Sequence, residues 1–479
     1  MLLEIPDFAV VVLMGASGSG KSSFAAKHFL PTEILSSDAF RAAVSDEETD
    51  QTATQDAFEA LHYLAGIRLR RRKPIVVDAT NVQAGARRSL IELARRYHAV
   101  PVAIVLDVPV KVCLERNADR PNRAFGKHVV ERHVNELHSS LRGLQREGFR
   151  YLYHLRGTDE VDAAALVRVP LRPDRRNEQG PFDIIGDVHG CYTELTGLLE
   201  QLGYEPIEGI YRHPQGRRVV FVGDLVDRGP MVVEAVRLVL AMVRAGTALC
   251  VPGNHDDKLK RVFQGRNVHV KNGLEQSLKD VNTLPSPEQE TFKREFAEFI
   301  EALPTHLWLD GGNLVVAHAG LPQEMHGRSS GSVRSFALYG DTTGESDDLG
   351  LPVRLDWAKD YRGDASVVYG HTPVGRPEWL NNAIDIDTGC VFGGKLTALR
   401  WPEKDMVSVQ AGATYAEPTR PLIFDPPEVI SEQWQHDDVL DLADYTGRRT
   451  METRLAKQIV IAEENAAAAL EIMSRYAVH

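Results

Sequence analysis

Short apolar runs punctuate the chain, and most stop at a glycine, an aspartate or a histidine rather than fading into a longer hydrophobic stripe. The run from Ala9 to Met14 is apolar at every position and has no 3.6-residue period, which predicts a parallel strand buried on both faces. Further strands are expected at Glu33 to Leu35, Pro74 to Val77 and Val102 to Leu106. Beyond a polar, proline-containing stretch from Arg172 to Gly180, others are expected at Phe182 to Ile185, Val219 to Val222, Ala248 to Val251, Leu314 to Ala317 and Val367 to Tyr369. Helical runs lie between them, the first from Ser23 to Phe29. Strands alternating with helices predict an α/β fold. The stretch 172–180 has the composition of a linker, so the chain divides into a first domain over 1–170 and a second over 171–425. A charged, helix-rich extension over 426–479 follows the recurrent prolines between Glu417 and Pro427.

The first strand leads directly into Gly15-Ala-Ser-Gly-Ser-Gly-Lys21-Ser22 and a helix, the context that a phosphate-binding loop requires. Glycine lets the backbone of Gly15, Ser17, Gly18, Ser19 and Gly20 curl so that its N–H groups face a nucleotide's phosphates at the positive end of a helix. Lys21 then reaches the β- and γ-phosphates, Ser22 offers its hydroxyl to Mg²⁺, and Ser23 completes the candidate nucleotide contacts. Asp38 follows the second strand with Arg41 about one helical turn later. The carboxylate there is placed to accept a proton from an attacking hydroxyl while the arginine holds an anionic group of the acceptor; a helix N-cap at Asp38 is the structural alternative. The third strand ends in Asp78-Ala-Thr-Asn81, where Asp78 can organise Mg²⁺ or its waters. Beyond the fourth, a helix carries Arg116, and Arg120 and Arg123 after it are spaced either as a lid over the transferring phosphoryl group or as a solvated basic turn.

In the second half five strand ends carry oxygen and imidazole ligands: Asp187 with His189, Asp224 with Asp227 and Arg228, Asn254 with His255, then His318 and His371. Two divalent metals sharing a carboxylate are the most economical explanation. One metal takes Asp187, His189 and Asp224; the other shares Asp224 and adds Asn254, His318 and His371. A hydroxide between them is the expected nucleophile, Arg228 the phosphate clamp, and His255, oriented by Asp227, the acid for the leaving oxygen.

The phosphate loop, Asp38 with Arg41, Asp78 to Asn81 and the lid arginines resemble, in that order, the kinase domain of bacterial polynucleotide kinase-phosphatases that repair broken RNA. That resemblance implies phosphate and metal binding by Lys21 and Ser22, a general base for a polynucleotide 5′-hydroxyl at Asp38, and donor-phosphate contacts from Arg116 and Arg120. Ala16 departs from the pattern, within a loop that binds through its backbone. The second set of motifs resembles the metallophosphoesterase superfamily, in the branch of the Ser/Thr protein phosphatases and diadenosine tetraphosphatases, which implies a calcineurin-like α/β sandwich. The segment Ile386 to Leu399 is similar to the diadenosine tetraphosphatases and to the phosphatase domain of the RNA-repair enzymes, which brings Asp387 to the active site. Together these resemblances imply RNA ends as substrate, ATP or GTP with Mg²⁺ in the kinase, and two Mn²⁺ or similar ions for removing 2′,3′-cyclic, 2′- or 3′-phosphates. They also imply a ligase module in longer relatives and a 3′-terminal ribose methyltransferase as a partner.

Three functions stay open: RNA end healing, a small-molecule kinase joined to a diadenosine tetraphosphatase-like hydrolase, and a nucleotide-regulated protein phosphatase. Only the first gives both domains one substrate. Composition narrows the class further. With 43% hydrophobic and 25% charged residues the chain reads as soluble and globular, and no apolar run approaches the roughly 20 residues of a membrane span. Phe8 to Met14 is too short for a signal sequence, so a cytoplasmic protein is expected. The net charge of -12 argues against coating nucleic acid through the overall field, while Arg68, Arg70, Arg71, Arg72 and Lys73 form either a local phosphate-attracting face or a solvated one. Cys113, Cys191, Cys250 and Cys390 form no Cys-x-x-Cys pair and are expected to be reduced and buried. Near the C-terminus Lys457 lacks the surroundings of a nucleotidyl-accepting lysine, so the chain should heal ends without sealing them. Self-association stays open.

Overall fold

The computed structural model describes residues 1–119, 126–271, 273–346, 352–418 and 422, together with the backbone of 449–452 and 458–461. Arg120, Arg123 and Lys457 lie outside the described residues. The all-apolar run becomes the central strand, Ala9–Met14, of a five-stranded parallel sheet. Across the sheet the order is Ile34–Ser36, Ile75–Asp78, Ala9–Met14, Val100–Asp107 and Tyr151–Arg156. The side chains of the central strand Ala9–Met14 are all buried, as a parallel strand covered by crossover helices must be. Because the register is parallel, the residues after Met14, Ser36 and Val77 arrive at the same edge. One further device holds that edge. The Arg87 guanidinium is wholly buried, pairs bidentately with Glu147 at 2.7 and 2.6 Å, and donates to the carbonyls of Asn81 at 2.9 Å and Val82 at 2.7 Å.

The second half is a sandwich of two five-stranded sheets. One runs Ala248–Cys250, Arg218–Phe221, Phe182–Ile185, Lys395–Trp401, Met406–Gln410, and the other Leu307–Leu309, Leu314–Val316, Ser366–Tyr369, Ala383–Asp385, Trp379–Leu380. Alternation along the strands sorts the apolar side chains between layers. Phe182, Ile184, Val220 and Val222 meet Leu314, Val316, Val368 and Ile384 between the sheets, while Ile185, Val219 and Phe221 pack outward against helices such as Tyr192–Gln201 and Val232–Arg244.

Three features depart from the reading of the sequence. A parallel ribbon of Leu2–Pro6 with Ala165–Val169 flanks the first sheet, from short segments that the reading of the sequence passed over. The backbone described beyond residue 448 is an antiparallel pair, Arg449–Glu452 with Gln458–Ile461, where helix was expected; the β-branched Ile459, Val460 and Ile461 favour it. The polar stretch 172–180 is docked rather than loose. Asp174 bridges to Trp308, and Arg176 stacks on the Trp308 ring at 4.3 Å.

Around that tryptophan the two halves clasp. Arg72 lies over Trp308 at 4.4 Å and donates to the carbonyl of His326; Arg328 lies over Phe8 at 5.1 Å and donates to the carbonyl of Tyr97 at 2.8 Å. The basic run of the sequence is therefore split in use, with Arg72 half-buried in this seam and Arg70, Arg71 and Lys73 exposed. Burial first, then neighbouring positive charge, pushes His306 down to about 3, and burial pushes His326 down to about 4. Both rings therefore bind fewer protons folded than unfolded, so the stability they contribute is complete above the unfolded value near 6.5 and drains away as pH falls towards 4. At pH 5 each ring is expected to cost roughly 2 kcal/mol relative to pH 7.5. Urea unfolding of a His306→Gln/His326→Gln double variant should accordingly show a flatter decline between these pH values than the parent; equal slopes would rule out the rings as its source.

Candidate active sites

At the carboxyl edge of the first sheet the glycine loop wraps an open cavity of about 370 Å³. Gly18 has φ 84°, and a Cβ there would stand 2.2 Å from the Cys113 carbonyl oxygen, so the loop can approach the helix Val110–Ala118 this closely only as glycine. Lys21 begins the helix Lys21–His28 and folds back across the loop, donating to the Gly15 and Ala16 carbonyls at 2.9 Å each. Its ammonium thus waits where phosphates are cradled. Ser17, Gly18, Gly20 and Ser22 line the cavity, Gly15 and Ser19 shape the turn beneath it, and Ser23 is not among the lining residues. On the opposite wall stand Asp38, Arg41 and Asp78. Asp38 is not the N-cap; Ser36 takes that position and Asp38 lies in the first turn of Ser37–Ser45, ion-paired with Arg41, which also donates to the Glu48 carbonyl at 2.8 Å. Arg116 reaches the loop, its Nη1 3.3 Å from where a Gly20 Cβ would be. Gln51, Arg132 and His133 complete the cavity, with His133 Nδ1 3.3 Å from the Ser17 hydroxyl. No motif marked these three, because they come from loop and helix positions whose spacing carries no signature.

In the second half the ligand-bearing loops converge from both sheets. His189, Asp224, Asp227, Arg228 and His371 all have positive φ, between 45° and 76°, backbone that non-glycine residues adopt at a cost of order 1 kcal/mol or more each. Gly253 explains one tight approach. A Cβ there would lie 2.0 Å from Asp224 Oδ1, the atom that accepts from the His255 N–H at 2.9 Å. Two clusters share Asp224: His189 with His255 on one side, His318 with His371 on the other, each with its ligand atoms within 4.8 Å of one another. Asn254 Oδ1 is 2.9 Å from His318 Nε2, and Asp187 Oδ2 accepts from the His371 N–H at 3.1 Å. Asp387 crowds Asp187.

The outer hydrogen bonds aim the imidazoles. His189 Nδ1 donates to the Val226 carbonyl at 2.7 Å and His318 Nδ1 to that of Val222 at 3.2 Å, so both Nε2 lone pairs face the shared carboxylate. Burial and then the carboxylate of Asp387 push Asp187 well up, and burial followed by Arg228 pushes His189 well down. Asp187 Oδ1 is buried without a hydrogen-bond partner. A buried, converging set of carboxylates with an unsatisfied oxygen and inward-facing imidazole lone pairs is the donor chemistry that a pair of divalent cations satisfies.

Beside the clusters a second group is arranged for phosphate and proton. Arg228 donates to His189 Nε2 at 2.7 Å and His255 Nε2 at 3.0 Å, its guanidinium lying 5.2 Å from the Phe392 ring. His255 Nδ1 is 2.6 Å from Asp227 Oδ2, and Ser277 donates to the other Asp227 oxygen at 2.5 Å. Ser277 escaped sequence reasoning, since it lies on the distant helix Leu274–Val281.

Comparison with known proteins agrees with this geometry. Residues 10–144 match the AAA domain and residues 180–400 match the calcineurin-like phosphoesterases. A bis(5′-nucleosyl)-tetraphosphatase, PrpE (asymmetrical), of Geobacillus sp. (strain WCH70) is 50% identical over 234 residues, which is 49% of this chain and 96% of that protein. Proteins of the same name from Geobacillus thermodenitrificans (strain NG80-2), 53% identical over 48% of this chain and 93% of theirs, and from Anoxybacillus flavithermus (strain DSM 21510 / WK1), 49% identical over 50% and 98%, match likewise. This chain belongs to the calcineurin-like phosphoesterases. It carries that phosphoesterase as its second half, behind a P-loop domain that those relatives do not account for. Among the described residues, no helix is long and apolar enough to cross a membrane.

Proposed function

We propose that the chain is a two-site phosphate enzyme, a hydrolase of dinucleoside tetraphosphates joined to a kinase that phosphorylates a hydroxyl acceptor. The observation that carries the first half of this reading is the pair of ligand clusters sharing Asp224, in a domain about half identical to proteins named for asymmetrical tetraphosphate cleavage. Asp187, His189, Asp224, Asn254, His318 and His371 would hold Mn²⁺ or similar ions, which supply Lewis acidity and an ionised water when bound. The chain's own groups do the rest. Before substrate arrives, burial and the charge of Arg228 push His255 well below the usual range, so its ring is neutral. A phosphate that takes over the Arg228 guanidinium removes this charge from Nε2 and frees that atom to carry a proton to the leaving oxygen, with Asp227 holding the ring. His255→Asn should therefore lower kcat by about 10²- to 10³-fold on a dinucleoside tetraphosphate. The loss should be much smaller on bis(p-nitrophenyl) phosphate, whose leaving group needs no proton; equal losses on both would remove His255 from the acid role.

In the first half Lys21, with the loop N–H groups, would hold ATP or GTP, Ser22 and Asp78 would hold Mg²⁺ or its waters, and Asp38 would take the proton of the acceptor hydroxyl. Arg41, which lines the cavity, and Arg116, which reaches the loop, would neutralise charge on the transferring phosphoryl group.

A second reading, RNA end healing, is favoured by one observation: the Asp38–Arg41 pair opens beside the phosphate loop in a half that the tetraphosphatase relatives lack. Under it Asp38 deprotonates an RNA 5′-hydroxyl and the second site clears 2′,3′-cyclic, 2′- or 3′-phosphates, with a ligase or a ribose methyltransferase as partner activities. Mass analysis of products separates the two. Diadenosine tetraphosphate cleaved far faster than a short RNA bearing a 5′-hydroxyl and a 2′,3′-cyclic phosphate supports the first reading; conversion of that RNA to a 5′-phosphate and a 2′,3′-diol, with the tetraphosphate untouched, replaces it by the second.

A further inference from the structure

Of the four cysteines, all free and buried, Cys191 and Cys390 are brought together by the fold. Their Sγ atoms and a Glu194 carboxylate oxygen lie within 4.8 Å of one another. Neither thiol takes part in the chemistry above, yet both sit on its scaffold. Cys191 stands two residues after His189 and is turned by its N–H bond to the Val188 carbonyl at 2.9 Å. Cys390 stands three residues after Asp387 and opens the short helix Cys390–Phe392, whose Phe392 ring lies under Arg228. The contact with Cys191, then burial, pushes the Cys390 thiol upward. A structural zinc site would need a fourth protein ligand, and the cluster gathers three among the described residues.

We infer that Cys191 and Cys390 are an oxidation site, closing to a reversible disulfide that switches off the phosphoesterase centre. Two thiols and one hydrogen peroxide give one S–S bond and two waters. Each sulfur gives up its proton and one electron, and the peroxide O–O bond breaks. A disulfide holds its sulfurs at about 2.05 Å, so closing the contact draws the two loops together by as much as about 2.7 Å. Metal ligands tolerate about 0.2 Å. The shift runs through Gly190 to His189 on one side and through Gly389 to Asp387 on the other, so a small closure of the sulfurs displaces the centre. Since both thiols are buried, the reaction should be slow, in contrast to that of an exposed thiolate. The inference holds for the phosphoesterase centre whichever phosphate ester is its natural substrate.

The test uses the full, Mn²⁺-loaded chain with bis(p-nitrophenyl) phosphate as probe. Peroxide treatment is expected to lower turnover at least tenfold, to yield a Cys191–Cys390 linked peptide on non-reducing mass mapping, and to be reversed by dithiothreitol. Cys390→Ser should keep the untreated rate and lose little to peroxide, and Cys191→Ser provides the same comparison if that protein folds poorly. Direct oxidation of the metals would inactivate the serine variants equally and overturn the inference. So would the absence of the linked peptide from inactivated parent protein, a linked peptide with unchanged turnover, or purified protein whose two thiols are masked by stoichiometric zinc.

Discussion

Replacing Asp224 with asparagine should reduce phosphate-ester hydrolysis by on the order of 10³-fold or more while leaving nucleotide-dependent phosphorylation within about twofold of the parent. The carboxylate is the member common to both ligand clusters, so neutralising it disturbs both at once. Its environment also predicts what the change does to the fold. Burial and then the nearby Asp256 push Asp224 well above the usual carboxylate range, which means that the ionised form is a burden to the protein unless cations balance it. Metal-stripped Asp224→Asn protein should therefore melt no lower than metal-stripped parent, whereas added Mn²⁺ should raise the parent's Tm and barely move the variant's. A variant that melts much lower, or that keeps its hydrolytic rate, would deny Asp224 this place.

The second large effect is expected at the other site. Lys21→Met removes the ammonium that folds back across the phosphate loop, and Asp38→Asn keeps shape but removes the proton acceptor. Each should cut phosphorylation of the acceptor by about 10²- to 10⁴-fold, Lys21→Met through donor binding and transfer together and Asp38→Asn through kcat alone. Hydrolysis at the second site should be unchanged in both. Joint loss of the two activities in a well-folded variant would show that the sites are one.

How much of this could be read beforehand depended on whether residues signalled locally. The phosphate loop, Asp187, His189, Asp224, Asn254, His318 and His371 each stand at the end of an apolar run, where strand geometry forces polar groups to a shared edge, so sequence order sufficed to gather them. The pairing of Asp38 with Arg41 was legible for the same reason, as three residues on a helix place side chains on one face. Ser277, His133 and Arg132 were not, because a helix contributes one side chain to a distant site without altering its own pattern. Cys191 and Cys390 stayed hidden too, since a buried thiol looks like any small apolar residue. The stretch 172–180 misled by composition. Its proline and charges are those of a solvated linker, and the ring and backbone of Trp308 give Arg176 and Asp174 a place to dock.

The clasp around Trp308 also decides how the protein would fail. Arg72 and Arg176 share that ring with Phe8 and Arg328 close by, so opening the seam uncovers aromatic surface on both halves in the same event. Heat, mild acid or a protease cut near residue 175 should then yield two sticky fragments rather than two tidy enzymes. A separately expressed half would inherit the same exposed aromatics, and its yield should improve when Trp308 or Phe8 is made polar.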